Sequence, residues 1–182
     1  MFIKPALGVA LALLAGMAWR VVSGDEGGEK TMLVYSVKEQ GLIETAAVDL
    51  SGKEQLAPEI CRVMRQHGTE RAFSGSHKPV SIQAVYQCAA CGLDLFLSET
   101  QFDSGTGWPS FWLPVHENNI GTKTDYLLGR HYPRTEVHCA RCKGHLGHVF
   151  EDGPEPTGLR YCINSVALVM VPIEELLGEE EL

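Results

Sequence analysis

The sequence predicts a mainly β domain. From Val80 onward, short apolar runs such as Ala84-Val85-Tyr86, Leu93-Asp94-Leu95-Phe96 and His148-Val149-Phe150 alternate with Gly, Pro, Ser and Asn clusters. That is the pattern of short strands joined by irregular connections. A second observation is the apolar, β-branched-rich run that starts near Gly158 and ends near Val171. A third is two C-x-x-C pairs, Cys88/Cys91 and Cys139/Cys142, which can tie distant segments together. No internal repeat of 20 to 50 residues organises the chain.

Taken in order, the chain opens with Lys4, an uncharged and largely apolar stretch at 5–19, and Arg20. The stretch is short for a full span and fits a secretory leader; Gly16 and Ala18 offer a cleavage site. Left uncut, it serves as a membrane anchor. Residues 1–24 are therefore expected to be a signal or anchor segment, with the protein exported or held on the extracytoplasmic side. Residues 25–50 begin with the polar, glycine-rich Asp-Glu-Gly-Gly-Glu-Lys and read as a linker followed by a poorly assigned region that holds the strand-like Leu33-Val34-Tyr35-Ser36-Val37. Residues 51–173 form the main domain. Within it, residues 58–66 have helical character, with Pro58 suited to the first turn and Gly68 placed to end the helix. Residues 174–182 carry Glu174, Glu175, Glu179, Glu180 and Glu181 and read as a solvated acidic tail.

The 182 residues suffice for one domain with a sizeable core. Hydrophobic residues at 45% and charged residues at 21% are ordinary for a globular protein. A formal charge of −8 argues against nucleic acid as the main partner, since a phosphate backbone calls for a basic surface.

The doubled C-x-x-C pair offers four thiolates, a full tetrahedral shell for zinc, or for iron in a reducing setting. With every ligand from protein, no position remains for substrate, so such a site is structural. Disulfides are the competing reading, and export favours them. However, a bridge inside C-x-x-C closes a very small loop and is more often redox-active than structural.

Cys162 stands apart from these four. In Gly158-Leu159-Arg160-Tyr161-Cys162-Ile163-Asn164-Ser165, strand alternation puts Arg160, Cys162 and Asn164 on one face. A guanidinium beside a thiol favours the reactive thiolate. His145 and His148 lie shortly upstream, and Gly105-Thr106-Gly107-Trp108-Pro109 reads as a tight turn that exposes or buries an indole. Read singly, the tryptophan is as readily a core residue, and the histidines are as readily structural. His67, His77, His116, His131 and His138 suggest no role.

Together these segments resemble a known family. Gly68-Thr69-Glu70-Arg71-Ala72-Phe73-Ser74-Gly75, residues 102–111 around Ser-Gly-Thr-Gly-Trp-Pro-Ser-Phe, Arg134-Thr135-Glu136-Val137, Gly144-His145-Leu146-Gly147-His148-Val149-Phe150, Asp152-Gly153-Pro154 and residues 158–165 are similar to the B-type peptide-methionine (R)-S-oxide reductases. The resemblance runs from about Leu56 to Val171. It implies two antiparallel sheets in a tent- or barrel-like arrangement, short N-terminal helices and a four-cysteine zinc site. It also implies thiol-dependent reduction of methionine R-sulfoxide, free or in oxidised proteins, with a thioredoxin-like reductant. Cys162 is then the nucleophile. His145, His148 and Asn164 line the pocket and bind or protonate the sulfoxide oxygen, Trp108 walls in the methyl group, and Arg160 sets the cysteine's ionisation. Phe150 and Asp152 carry over to the pocket wall and the histidine surroundings.

The chain departs from that pattern at Thr106, where many members carry a resolving cysteine. Cys61, on the expected helix, either takes over that role or is an incidental cysteine, leaving recycling to an external thiol. Two other functions compete: a zinc-stabilised binding module without catalysis, and a disulfide oxidoreductase that uses one of the C-x-x-C pairs.

Overall fold

Antiparallel strands carry most of the computed structural model, which describes residues 30–51, 56–77, 79–126 and 133–178. The strands are β1 (Thr31–Ser36), β2 (Gly41–Ala46), β3 (Ala84–Cys88), β4 (Asp94–Leu97), β5 (Gln101–Phe102), β6 (Ser110–Phe111), β7 (Ile120–Asp125), β8 (Arg134–Cys139), β9 (His145–Phe150), β10 (Arg160–Ile163) and β11 (Leu168–Pro172). Two short helices, α1 (Pro58–Met64) and α2 (Ile173–Leu177), complete the set, with 3₁₀ turns that include Ser165–Ala167. The order β5-β6-β10-β9-β8-β7 makes a six-stranded sheet, β11-β3-β4 a three-stranded one, and β1-β2 a hairpin. The expected mainly β, antiparallel fold is thus present. Among the described residues, one helix rather than several stands at the N-terminal side of the domain.

The core lies between the two larger sheets. Phe111 and Tyr161 come from the six-stranded sheet, and Tyr86 and Phe96 from the three-stranded one. Phe96 stacks on Phe111 at 4.5 Å between centroids, Tyr86 meets Phe111 edge-on at 5.1 Å, and Tyr161 tilts onto Phe96 at 5.7 Å. Aromatic pairs at these separations add about 0.5–1.5 kcal/mol each beyond the area they bury. Because side chains alternate along β10, burying Tyr161 and Ile163 in this core turns Arg160 and Cys162 to the opposite face.

The structure refines three of the readings, and β1 accounts for Leu33 to Ser36 of the strand-like Leu33-Val34-Tyr35-Ser36-Val37. Part of the poorly assigned region at 25–50 is ordered sheet: the β1–β2 hairpin buries Val34 and is fastened by polar groups. The wholly buried Asn119 accepts from Tyr35 N–H at 2.7 Å and donates to Tyr35 C=O at 2.8 Å and to Asp94 C=O at 2.7 Å. Next, the tail begins as helix α2 before the residues at 179–182, which lie outside the described set. Finally, the apolar run that starts near Gly158 and ends near Val171 divides between two strands. It breaks at Asn164, passes through the 3₁₀ turn and re-enters the other sheet as β11. The signal or anchor segment at 1–24 also lies outside the described residues, and no described helix is long and apolar enough to cross a membrane.

Helix α1 starts with Pro58, as expected, and buries Val63 and Met64. It ends differently from the expectation. His67, at φ 54°, takes the left-handed conformation, whereas Gly68 serves close approach: a Cβ there would sit 2.8 Å from the Arg62 carbonyl oxygen.

Candidate active site

Strand register assembles the site. Residues directly opposite one another in antiparallel strands share a face. Lys123 pairs with Glu136, Glu136 with His148, His148 with Cys162, and Cys162 with Ser110. One row across four strand boundaries therefore presents a base, an acid, an imidazole, a thiol and a hydroxyl on the face turned away from the aromatic core. Gly147 makes the row possible, because a Cβ there would collide with the Cys162 carbonyl.

Cys162 is half-buried and unbridged. Arg160, two residues before it, is clamped by Asp152 through Nε and Nη2 at 2.8 and 2.9 Å. Its guanidinium lies 4.5 Å from the centre of the Phe150 ring. Phe150 thus supports Arg160. Burial pushes the Cys162 thiol above its ordinary value. Arg160 and a hydrogen bond from Thr106 pull the other way without overcoming it, and Asp152 works against them. The guanidinium expected to favour thiolate is present, but desolvation outweighs it. Thr106 belongs to a hydroxyl chain: Ser104 Oγ lies 2.8 Å from Thr106 Oγ1 and 2.7 Å from Ser110 Oγ.

The two histidines have different partners. His148 Nε2 is 2.8 Å from Asp125 Oδ2, and the same carboxylate oxygen receives Arg134 Nη2 at 2.7 Å. A neutral His148 that donates from Nε2 keeps Nδ1 free of a proton. His145 is 2% exposed, and its Nδ1 lies 3.1 Å from Glu136 Oε1. Burial lowers the pKa of both imidazoles, opposed by Glu136 at His145 and by Asp125 at His148. A cleft of about 280 Å³ opens beside them, lined by His67, Lys123, Asp125, Tyr126, His145 and His148 among others.

Asn164 and Trp108 are held by a residue that sequence reasoning left without a role. Glu70 is buried. Its carboxylate accepts from Ser165 N–H at 2.6 Å and Val166 N–H at 3.1 Å, anchoring the start of the 3₁₀ turn. Its own N–H donates to Asn164 Oδ1 at 2.9 Å, and its carbonyl accepts from Trp108 Nε1 at 3.2 Å. Asn164 Nδ2 donates to Leu146 C=O at 2.8 Å. The Asn164 amide is therefore committed to backbone on both sides and does not extend the Arg160–Cys162 strand face. The sequence offered one signal for Glu70, a carboxylate in the otherwise weakly charged Gly-Thr-Glu segment. Nothing marked Asp125, whose role depends on pairing across β7 and β8.

The remaining cysteines separate into a cluster and a single thiol. Cys88, Cys91, Cys139 and Cys142 bring their sulfurs within 4.8 Å of one another, a set able to hold a metal ion. Cys88–Cys142 and Cys91–Cys139 are each 3.6 Å apart, too far for a disulfide and close to the separation of about 3.8 Å set by tetrahedral bonds of 2.3 Å. The two pairs fold alike. Cys88 N–H bonds Leu93 C=O at 2.8 Å and Cys139 N–H bonds Gly144 C=O at 3.0 Å, and Gly92 and Lys143 both adopt positive φ after the second cysteine. Cys61 sits half-buried on α1, which packs against the 3₁₀ turn just beyond Cys162 and against β9, and its thiol is also unbridged.

Residues 56–172 match the SelR domain. The chain is 50% identical over 125 residues to the peptide methionine sulfoxide reductase MsrB of Agrobacterium fabrum, covering 69% of this chain and 91% of that protein. This chain belongs to the MsrB family. Its likeness to the MsrB of Azotobacter vinelandii is 51% over 123 residues, with 68% and 91% covered. For the MsrB of Methanosarcina barkeri it is 52% over 133 residues, with 71% and 91% covered. Family membership and the row of site residues agree in extent, since every residue from Cys61 to Asn164 discussed above falls within the matched segment.

Proposed function

We propose that this protein reduces methionine R-sulfoxide, free or within oxidised proteins, to methionine, with Cys162 as the nucleophile. The observation that carries the reading is the direct pairing of a half-buried Cys162 with His148 across β9 and β10, flanked by Arg160 and Thr106.

The sulfoxide sulfur becomes a better electrophile as its oxygen accepts a proton. Because burial lowers the pKa of His145 and His148, either imidazolium holds a proton weakly and gives it up readily to that oxygen. The Cys162 sulfur attacks the substrate sulfur to form a transient S–S bond; as the substrate S–O bond breaks, the oxygen passes to Cys162, the S–S bond opens, and methionine leaves. Cys162 retains the oxygen as a sulfenic acid and has supplied the two electrons. A thiol then condenses with the sulfenic acid, releasing water and forming a disulfide, which a thioredoxin-like partner opens by exchange. Trp108, oriented by Glu70, offers an apolar wall for the methyl group.

Thr106 cannot form that disulfide, so Cys61 is the internal candidate for resolution. A Cys61–Cys162 linked peptide in oxidised protein supports it, and absence of that peptide assigns recycling to an external thiol. The four-cysteine set is proposed to hold zinc. The ion would supply a fixed cross-link between the β3–β4 and β8–β9 turns, with no open position for substrate. The apolar stretch at 5–19 supports action outside the cytoplasm, and recovery of the whole protein from the cytosol with Met1 retained would oppose it.

The deciding experiment compares both sulfoxide epimers, with dithiothreitol and with a thioredoxin system, for wild type, Cys61→Ser and Cys162→Ser. The R epimer alone should be consumed, and Cys162→Ser should lose turnover while keeping its fold and metal. Substantial R-sulfoxide reduction by Cys162→Ser would refute the assignment. No reduction by wild type would favour the binding-module reading.

A further inference from the structure

His67, Glu136 and His145 bring one nitrogen or oxygen each to within 4.8 Å of one another, apart from the four cysteines. Glu136 Oε1 lies 3.3 Å from His67 Nδ1 and 3.1 Å from His145 Nδ1. Bonds of about 2.05 Å in a tetrahedron separate neighbouring ligand atoms by about 3.3 Å. The pairs are therefore spaced as ligands of one ion.

Their orientation supports the same conclusion. Glu136 Oε1 and His145 Nδ1 are both buried, yet neither has a hydrogen-bond partner among the described residues despite their proximity. An N–H donating to Oε1 would lie along the line between the atoms. Two buried atoms this close without a well-aligned N–H between them suit a cation held by both. Unpaired buried polar atoms of this kind are costly and call for an explanation. Glu136 Oε2 is occupied separately by Lys123 Nζ at 3.4 Å, leaving Oε1 for the ion. His67, 42% exposed, gives access from solvent through the cleft.

We propose that His67 Nδ1, Glu136 Oε1 and His145 Nδ1 bind a divalent transition-metal ion, zinc being the best match to two imidazoles and a carboxylate, and that occupancy inhibits the enzyme by withdrawing His145. The inhibitory half rests on the proposed role of His145, whereas binding does not. His67 takes the left-handed backbone conformation, and its ring lies 5.4 Å from that of His145 between centroids.

The test uses protein already loaded with zinc at the four cysteines. Zn2+ is titrated calorimetrically into Cys162→Ser, so that the sulfur at 162 contributes no ligand. One further equivalent should bind. Adding His67→Asn, which tolerates positive φ, should weaken it at least tenfold, and Lys123→Gln, which removes a neighbouring positive charge, should tighten it. In parallel, reduced wild type without added thiol should form methionine in a single turnover that slows as the second equivalent fills, while His67→Asn stays active at the same Zn2+. No second equivalent, or one undiminished by His67→Asn, overturns the site. A filled site with unchanged turnover overturns the inhibition.

Discussion

The four clustered sulfurs and the lone sulfur of Cys162 contrast in how the chain positions them. Each C-x-x-C pair is set by a local turn. Cys91 and Gly92 N–H reach back to Cys88 C=O at 3.3 and 2.8 Å, and Lys143 N–H reaches Cys139 C=O at 2.9 Å. Two such turns need only to meet. Cys162 owes its surroundings to sheet register: His148 faces it from β9, Thr106 from the loop before β6, and Arg160 from its own strand. The first arrangement brings four thiols together as a set able to hold one ion, three of them buried. The second leaves one thiol half-open among groups that disagree about its charge. What separates the two arrangements is how many like atoms surround each sulfur.

The largest effect that sharpens this contrast is on stability. Cys139 is wholly buried in the cluster, so Cys139→Ser should remove metal and abolish the cooperative unfolding transition, as circular dichroism and metal analysis would show. Structural zinc supplies about 10–16 kcal/mol to small sites, comparable to the whole stability of a domain. Cys162→Ser should leave the transition nearly unmoved.

An intermediate effect is expected at Glu70, which holds Trp108, Asn164 and the 3₁₀ turn together. Glu70→Gln loses the charge on its bonds to Ser165 and Val166 and should cost about 1.5–3 kcal/mol. Because it also loosens the two side chains that flank the site, turnover should fall together with stability; an unchanged rate at lower stability would confine Glu70 to the scaffold.

The smallest effect is electrostatic. Burial holds the Cys162 pKa above its ordinary value even with Arg160 beside it. Alkylation of Cys162 should therefore rise with pH through an apparent pKa above that of a free thiol. Arg160→Met should move the curve further up, because a favourable charge is lost. Stability has the opposite acid limit. The folded pKa values of His145 and His148 lie below their unfolded values, so the unfolded state binds more protons as pH falls through the unfolded histidine range. Denaturant midpoints should drop as pH falls from neutrality and level off once pH is below the folded values.

The same contrast governs what the sequence revealed. The C-x-x-C spacing, the mainly β class, the first turn of α1 and the shared face of Arg160 and Cys162 all depend on neighbours a few residues apart, where periodicity and spacing are informative. The break at Asn164 was missed because its cause, Glu70 capping the turn from 95 residues away, lies outside any local window. Asp125 beside His148 and the seating of the β1–β2 hairpin on Asn119 were hidden for the same reason. The sign of the Cys162 shift was missed on different grounds: the charge was visible in sequence, but the burial that outweighs it was not.

The most direct measurement lets reduced protein react once with methionine R-sulfoxide in the absence of thiol and with a sulfenic-acid trap, then maps the adduct by mass spectrometry. One adduct on Cys162 for each methionine formed, with Cys88, Cys91, Cys139 and Cys142 unmodified, is the predicted result. Methionine formed with the adduct on a cluster cysteine, or with no sulfenic acid at Cys162, would contradict the division of labour between the five sulfurs.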